Sequence, residues 1–274
     1  MGRWGDGEMG RWGDGRWFLR ENPGSGFGNC ASRIVGWRNL AIAIAVLLVV
    51  VTTNAIAFDD TRFPPLRVHP LPEKLALWND PQATGDYFDA IASHSTVGYL
   101  IWSKFPVSVY IEPPDDGDRR SQSWYNAVEA AVTQWDDYFP LVEVKDRENA
   151  DILCLRSRPP LRATLNRQTR QLEIPTARTA EASYEFYLSP ENPPLLSHRF
   201  ALRLSPHQTD EQILGAARHE LGHALGIWGH SPHPTDALYS TQVNNPPSIS
   251  TRDINTLKKV YQQPTRLGWA VPDS

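Results

Sequence analysis

From residue 219 to residue 233 the chain reads His-Glu-Leu-Gly-His-Ala-Leu-Gly-Ile-Trp-Gly-His-Ser-Pro-His, placing four of its eight histidines in one short stretch. His219 and His223 stand four apart, a spacing that puts two side chains on one helix face about one turn apart. Two imidazoles so placed can reach a single ion at roughly 2.0–2.1 Å from each nitrogen, as zinc requires. Glu220 is turned about 100° around the helix from His219, which aims its carboxylate beside the ion, where a water would sit. Gly226 stands where such a helix should end and suits the left-handed turn that reverses a chain. Gly229 adds a second permissive position just before His230, so the chain can fold back and offer a third nitrogen. Three neutral imidazoles leave the fourth zinc position open for water, the arrangement of catalytic sites. His233 competes with His230 for the third place. If both served, the site would be closed and structural. The blandest alternative is a solvated helix face with incidental histidines.

Several elements must position these groups. A helix over about Thr209 to Leu225 carries His219, Glu220 and His223, and Thr209 or Asp210 can cap it. A second helix is expected around Trp124, Val128, Ala131, Val132, Trp135 and Phe139, which recur at three- and four-residue spacing up to Pro140. A third, about Thr251 to Tyr261, begins at Ser250-Thr-Arg-Asp253 with capping-box character. Strands are expected at Pro106–Glu112, Leu141–Lys145, Asp151–Arg156, near Thr169–Ile174 and at Arg199–Ser205. The stretch through Tyr184-Glu-Phe-Tyr187 and Pro193-Pro194 gives no clear element. Strand, helix, strands, helix without βαβ repetition points to an α+β domain.

The His219–Ser231 stretch resembles the metzincin metalloproteases, and the matrixins (matrix-metalloprotease-like enzymes) most closely. Their pattern is H-E-x-x-H-x-x-G-x-x-H; here the interval from Gly226 to His230 is one residue longer. The resemblance extends from Tyr99 to Tyr261: Trp135 in the first helix, Ala150-Asp151-Ile152 at a strand start, Asp236-Ala-Leu-Tyr239 in place of the methionine turn, and Ile249–Tyr261 as the last helix. Leu238 stands where the family has methionine, a swap between hydrophobes of similar volume. The resemblance implies a zincin-like catalytic domain with a twisted mixed sheet, an active-site helix and a C-terminal helix. It implies one catalytic Zn²⁺ on His219, His223 and His230, and peptide-bond hydrolysis by a water that the metal and Glu220 activate. Tyr239 would stabilise the oxyanion or simply pack below the site. No match to the family's structural zinc and calcium loops lies between Pro159 and Pro194, so calcium stays open. Its cysteine switch is also absent, leaving Asp86, Asp89 and His94 as the groups that could impose latency. The strand at Arg199–Ser205 is expected to offer an edge to substrate. The rival readings are a non-catalytic secreted module of the same fold and a closed structural-zinc protein.

A net charge of -4 gives no bulk attraction to nucleic acid or anionic membrane. Cys30 and Cys154 cannot form a disulfide framework. Leu40 to Val51 is an unbroken apolar run between Arg33 and Arg38 on one side and Thr52-Thr-Asn-Ala-Ile-Ala57 on the other. This describes a signal peptide over 35–57, cleaved after Ala57, with an uncleaved anchor as the alternative. Residues 1–34 hold a tandem octapeptide (Met1–Glu8, Met9–Arg16) with no apolar face, expected to be disordered or to precede the true start near Val35. The proline-dense stretch within 58–95 reads as a lead-in or short propeptide, and 96–274 as the catalytic domain. The expected product is a secreted monomer acting on protein or peptide substrates, with no stable membrane association after cleavage.

Overall fold

The computed structural model describes residues 63–94, 96–160, 164–165, 172–173 and 178–272. The octapeptide repeat, the apolar run, its cleavage position and Cys30 lie outside the described residues. The first described element is α1 (Glu73–Leu77), followed by a 3₁₀ turn at Phe88–Ala90. Strand β1 (Val107–Ile111) leads into α2 (Arg119–Asp136), then β2 (Leu141–Val144) and β3 (Ile152–Leu155). A small hairpin, β4 (Thr164–Leu165) and β5 (Leu172–Glu173), precedes the long strands β6 (Ala180–Leu188) and β7 (Leu196–Leu204). Helices α3 (Asp210–Ala224) and α4 (Thr251–Tyr261) complete the unit.

The expected α+β class holds in this form: a five-stranded mixed sheet in the order β2-β1-β3-β7-β6, with four helices among the described residues. The pairs β1–β2, β1–β3 and β3–β7 are parallel, and β6 alone runs antiparallel, at the edge. One βαβ step does occur, because β1 and β2 are adjacent and parallel with α2 between them in sequence. α2 packs on β1 and β2, α3 packs on β6 and β7, and the two helices pack on each other.

Local sequence explains the helix limits. Asp118 accepts from the N–H groups of Arg120 and Ser121 and so caps α2; Thr209 with Gln212, and Ser250 with Asp253, form capping boxes on α3 and α4. In α2, Trp124, Val128, Ala131, Val132 and Trp135 form the buried stripe that the periodicity predicts, joined by Ser121 and Ala127; the helix ends at Asp136, so Phe139, though buried, lies beyond it. In β7, every second residue from Leu196 to Leu204 is buried, the period-two pattern of a strand with one face in the core.

Two expectations are corrected. The strand around 199–205 is not an edge: β7 is paired on both sides, to β3 and β6, and the exposed edge beside α3 is β6. The strand expected near Thr169–Ile174 amounts to the two residues of β5, in a separate hairpin. The proline-dense lead-in contains a short helix, α1, whose Leu75 is fully buried; residues 63–94 belong to the same compact unit as the other described residues.

Candidate metal centre

Helix α3 is buried along nearly its whole length from Ile213 to Ala224, and neighbouring side chains take up its backbone carbonyls. Trp135 donates its indole N–H to Arg218 O at 2.9 Å, and Trp102 donates to Ala224 O at 2.8 Å. Tyr261 donates its hydroxyl to Leu225 O at 3.0 Å and accepts from the Trp102 backbone N–H. The last carbonyls of a helix have no partner within it. Here aromatic donors from two distant parts of the chain hold them, which fixes the helix end where His219 and His223 project.

Past Leu225 the chain reverses at Gly226, whose φ of +124° lies in the region that suits glycine. A Cβ there would also meet Leu100 O at 2.8 Å. The reversal brings His230 back to the helix. Ligand atoms of His219, His223 and His230 all lie within 4.8 Å of one another, so the three can hold a metal ion. His233, by contrast, is exposed and stands outside this group.

The hydrogen bonds of the two helical histidines set their tautomers. His219 Nδ1 lies 2.9 Å from Ala237 O, and His223 Nδ1 lies 2.7 Å from Ile227 O. A carbonyl accepts only, so each Nδ1 carries the proton and each Nε2 is left with its lone pair. Those Nε2 atoms face each other at 3.1 Å. Burial, and then the adjacent imidazoles, push the His219 pKa well below its ordinary value and that of His223 down to about 3. Neither ring carries a second proton at neutral pH, and the two Nε2 atoms are placed where one cation can lie against both. The donor set therefore fits a metal ion on physical grounds. The carbonyls behind each ring also fix its orientation, as outer partners of metal-binding histidines do.

Glu220 is 3% exposed on the same helix. Burial raises its carboxyl pKa to about 8, the nearby Glu181 adds to the rise, and a bond from the Ala182 backbone N–H works against it. Both Glu181 and Ala182 belong to β6, the strand missed in the sequence. The signal for it is there: Glu181, Ser183 and Glu185 alternate with Ala182, Tyr184 and Phe186.

Below the helix, Leu238 is fully buried against Gly222, where a Cβ would come within 2.5 Å of its side chain. Leu238 thus lies under the turn between His219 and His223, the position expected for the floor of the site. Its loop is tied down by Ser231 N–H to Leu238 O at 2.8 Å and by Ser231 Oγ–H to Asp236 at 2.5 Å. Asp236 is wholly buried and paired with Arg252 at 2.6 Å. Burial pushes its carboxyl up, but bonds from Arg252, Ser231 and Ser250 outweigh that and leave the pKa lowered. Beside it, Asp253 accepts from Ala237 N–H, Ser250 N–H and the Tyr87 hydroxyl.

The groups considered for latency do not join the three histidines. Asp86 pairs with Lys259, Asp89 is exposed, and His94 Nδ1 faces the Thr96 N–H at 3.1 Å while its ring packs on Phe186. Cys154 is fully buried in β3, and burial pushes its thiol up to about 12, which makes it inert. Most of the 161–177 stretch, which bears on further metal loops, lies outside the described residues. Compared with known proteins, the sequence matches no family model and no curated protein.

Proposed function

We propose that this chain is a secreted, matrixin-like zinc endopeptidase with Glu220 as its general base. The observation that carries the reading is the pair of Nε2 lone pairs on His219 and His223, 3.1 Å apart and fixed by carbonyls behind each ring. Two nitrogens bound to one tetrahedral zinc are about 3.3 Å apart, close to that separation. His230 supplies the third ligand, and with His233 outside the group the set is the three-histidine kind that leaves one position open.

Bound zinc supplies a Lewis acid that polarises a peptide carbonyl and acidifies a water. Glu220, adjacent to His219 in the helix and walled from bulk solvent, would accept a proton from water and return it to the leaving amine once a bound cation, which favours the carboxylate, offsets the burial that raises its pKa to about 8. The Ala182 N–H orients its carboxylate. The outer edge of β6 offers backbone groups with which an extended peptide can pair beside α3. Export rests on the basic flank, apolar run and small-residue ending over 35–57; among the described residues no helix is long and apolar enough to cross a membrane.

Metal analysis and a cleavage assay on an unfolded protein, with and without chelator, test this reading. One zinc per chain and chelator-sensitive cleavage are expected. Glu220→Gln should keep the metal and lose at least about a hundredfold in rate, the scale of general acid–base catalysis. A metal-loaded wild type that cleaves nothing overturns the proposal.

A further inference from the structure

The lead-in over 63–94 threads across the back of α4 before it reaches the metal centre. Arg67 and Thr265 exchange both backbone hydrogen bonds, and Trp78 Nε1–H donates to Asn255 at 2.9 Å. Tyr87, buried, donates its hydroxyl to Asp253 at 2.5 Å. The Phe88–Ala90 turn then carries the chain onto the loop that follows α3. There Ile91 forms an antiparallel bridge with Gly229, and the Ala92 N–H donates to Trp228 O at 3.0 Å. The approach is tight: a Cβ on Gly229 would lie 2.2 Å from Ala90 O.

Gly229 immediately precedes His230. Ile227 ties the start of the loop to the helix, its N–H donating to Gly222 O at 3.0 Å and its carbonyl facing His223 Nδ1; beyond it the loop's own bonds are short-range, Trp228 N–H to Gly226 O and Gly229 N–H to Ile227 O. The stretch past Ile227, with Gly229 in it and one residue more than the motif it resembles, does not define its own path. The lead-in lies against it as an added strand at the residue next to the ligand.

We infer that Phe88–Ala92 positions His230 from its N-terminal side, complementing the Ser231–Leu238 bond on the other, and that residues 63–94 are a permanent part of the working unit, not a pro-segment to be removed. The inference rests on His230 being the third metal ligand. It assigns the one-residue lengthening of the loop a structural counterpart: the lead-in strand that holds it.

The test reads metal affinity in the full chain, by zinc competition against a chromophoric chelator. Ala92→Pro removes the N–H that holds Trp228, and Gly229→Ala drives Ala90 away. Each should weaken zinc binding by about 10- to 100-fold, the usual effect of losing an outer partner of a ligand. In a His230→Ala background the same substitutions should add less than about threefold, because nothing is left to position. Equal losses with and without His230, or no loss in its presence, overturn the inference. Wild type and His230→Ala binding zinc equally well would overturn the ligand assignment and the inference with it. Should the variants not fold, wild-type amide exchange decides. Coupling is reciprocal, so zinc must slow exchange at Ala92 by a similar factor while α2 amides serve as reference. An Ala92 amide indifferent to zinc sinks the proposal.

Discussion

Acid should weaken this fold through a histidine outside the three-histidine cluster. His198 lies on β7, 2% exposed, its ring stacked on Trp102 with centroids 3.9 Å apart and its Nε2 without a hydrogen-bond partner. Burial lowers its pKa from 6.5 to about 3. Below pH 6.5 the unfolded chain takes a proton at this position; the folded chain takes none until about pH 3. The unfolded state therefore binds more protons throughout that window, and stability falls as pH falls through it. At pH 5 the unfolded histidine is about 1.5 pH units below its pKa, which at 1.36 kcal/mol per unit costs the fold about 2 kcal/mol. His219 and His223 add losses of the same sign, so the contribution must be isolated by difference. His198→Phe keeps a ring against Trp102 and removes the titrating nitrogen. In urea unfolding with chelator present, the drop in stability from pH 8 to pH 5 should be about 2 kcal/mol smaller in the variant than in wild type. Equal drops in the two proteins would show that His198 is not buried and neutral as described.

Gly226→Ala should destabilise the chain by more than about 1 kcal/mol in thermal unfolding, since its φ of +124° and the 2.8 Å approach to Leu100 O both exclude a side chain. It should also weaken zinc binding, because the turn returns His230 to the helix. Gly222→Ala meets the tip of Leu238 at 2.5 Å and should cost about 1–3 kcal/mol by overpacking; Leu238→Val in the same chain should recover part of that, and a merely additive double variant would contradict the contact. Arg252→Ala leaves Asp236 buried without its cation and should cost about 3 kcal/mol by denaturant titration, whereas a loss under about 1 kcal/mol would mean that Ser231 and Ser250 suffice.

How much of this was legible depended on whether a residue's role was local. The α3 and α4 limits could be read because Thr209 and Ser250 cap through neighbours three residues away. His219, Glu220 and His223 could be read because helical spacing alone puts them together. His230 could be preferred to His233 only through the resemblance, by its His-Ser pair; the loop that brings it back is held by residues 88–92 and by the Ser231–Leu238 bond, which no local pattern announces. α1 escaped notice because a five-residue helix in a proline-dense stretch shows no period. β6 carries an alternation that could have been read, but its length and edge position depend on pairing with β7, which no local pattern declares.

Tyr261 bonds Leu225 O and receives the Trp102 N–H, joining three parts of the chain at the end of α3. This has a consequence during synthesis. A nascent or prematurely terminated chain that stops short of residue 261 contains every proposed metal ligand but lacks the hydroxyl that seats their helix. Such a fragment would present a soft, badly aligned site to quality-control proteases. Seating of the helix that carries His219 and His223 therefore waits for Tyr261, whatever the order in which the rest of the chain folds.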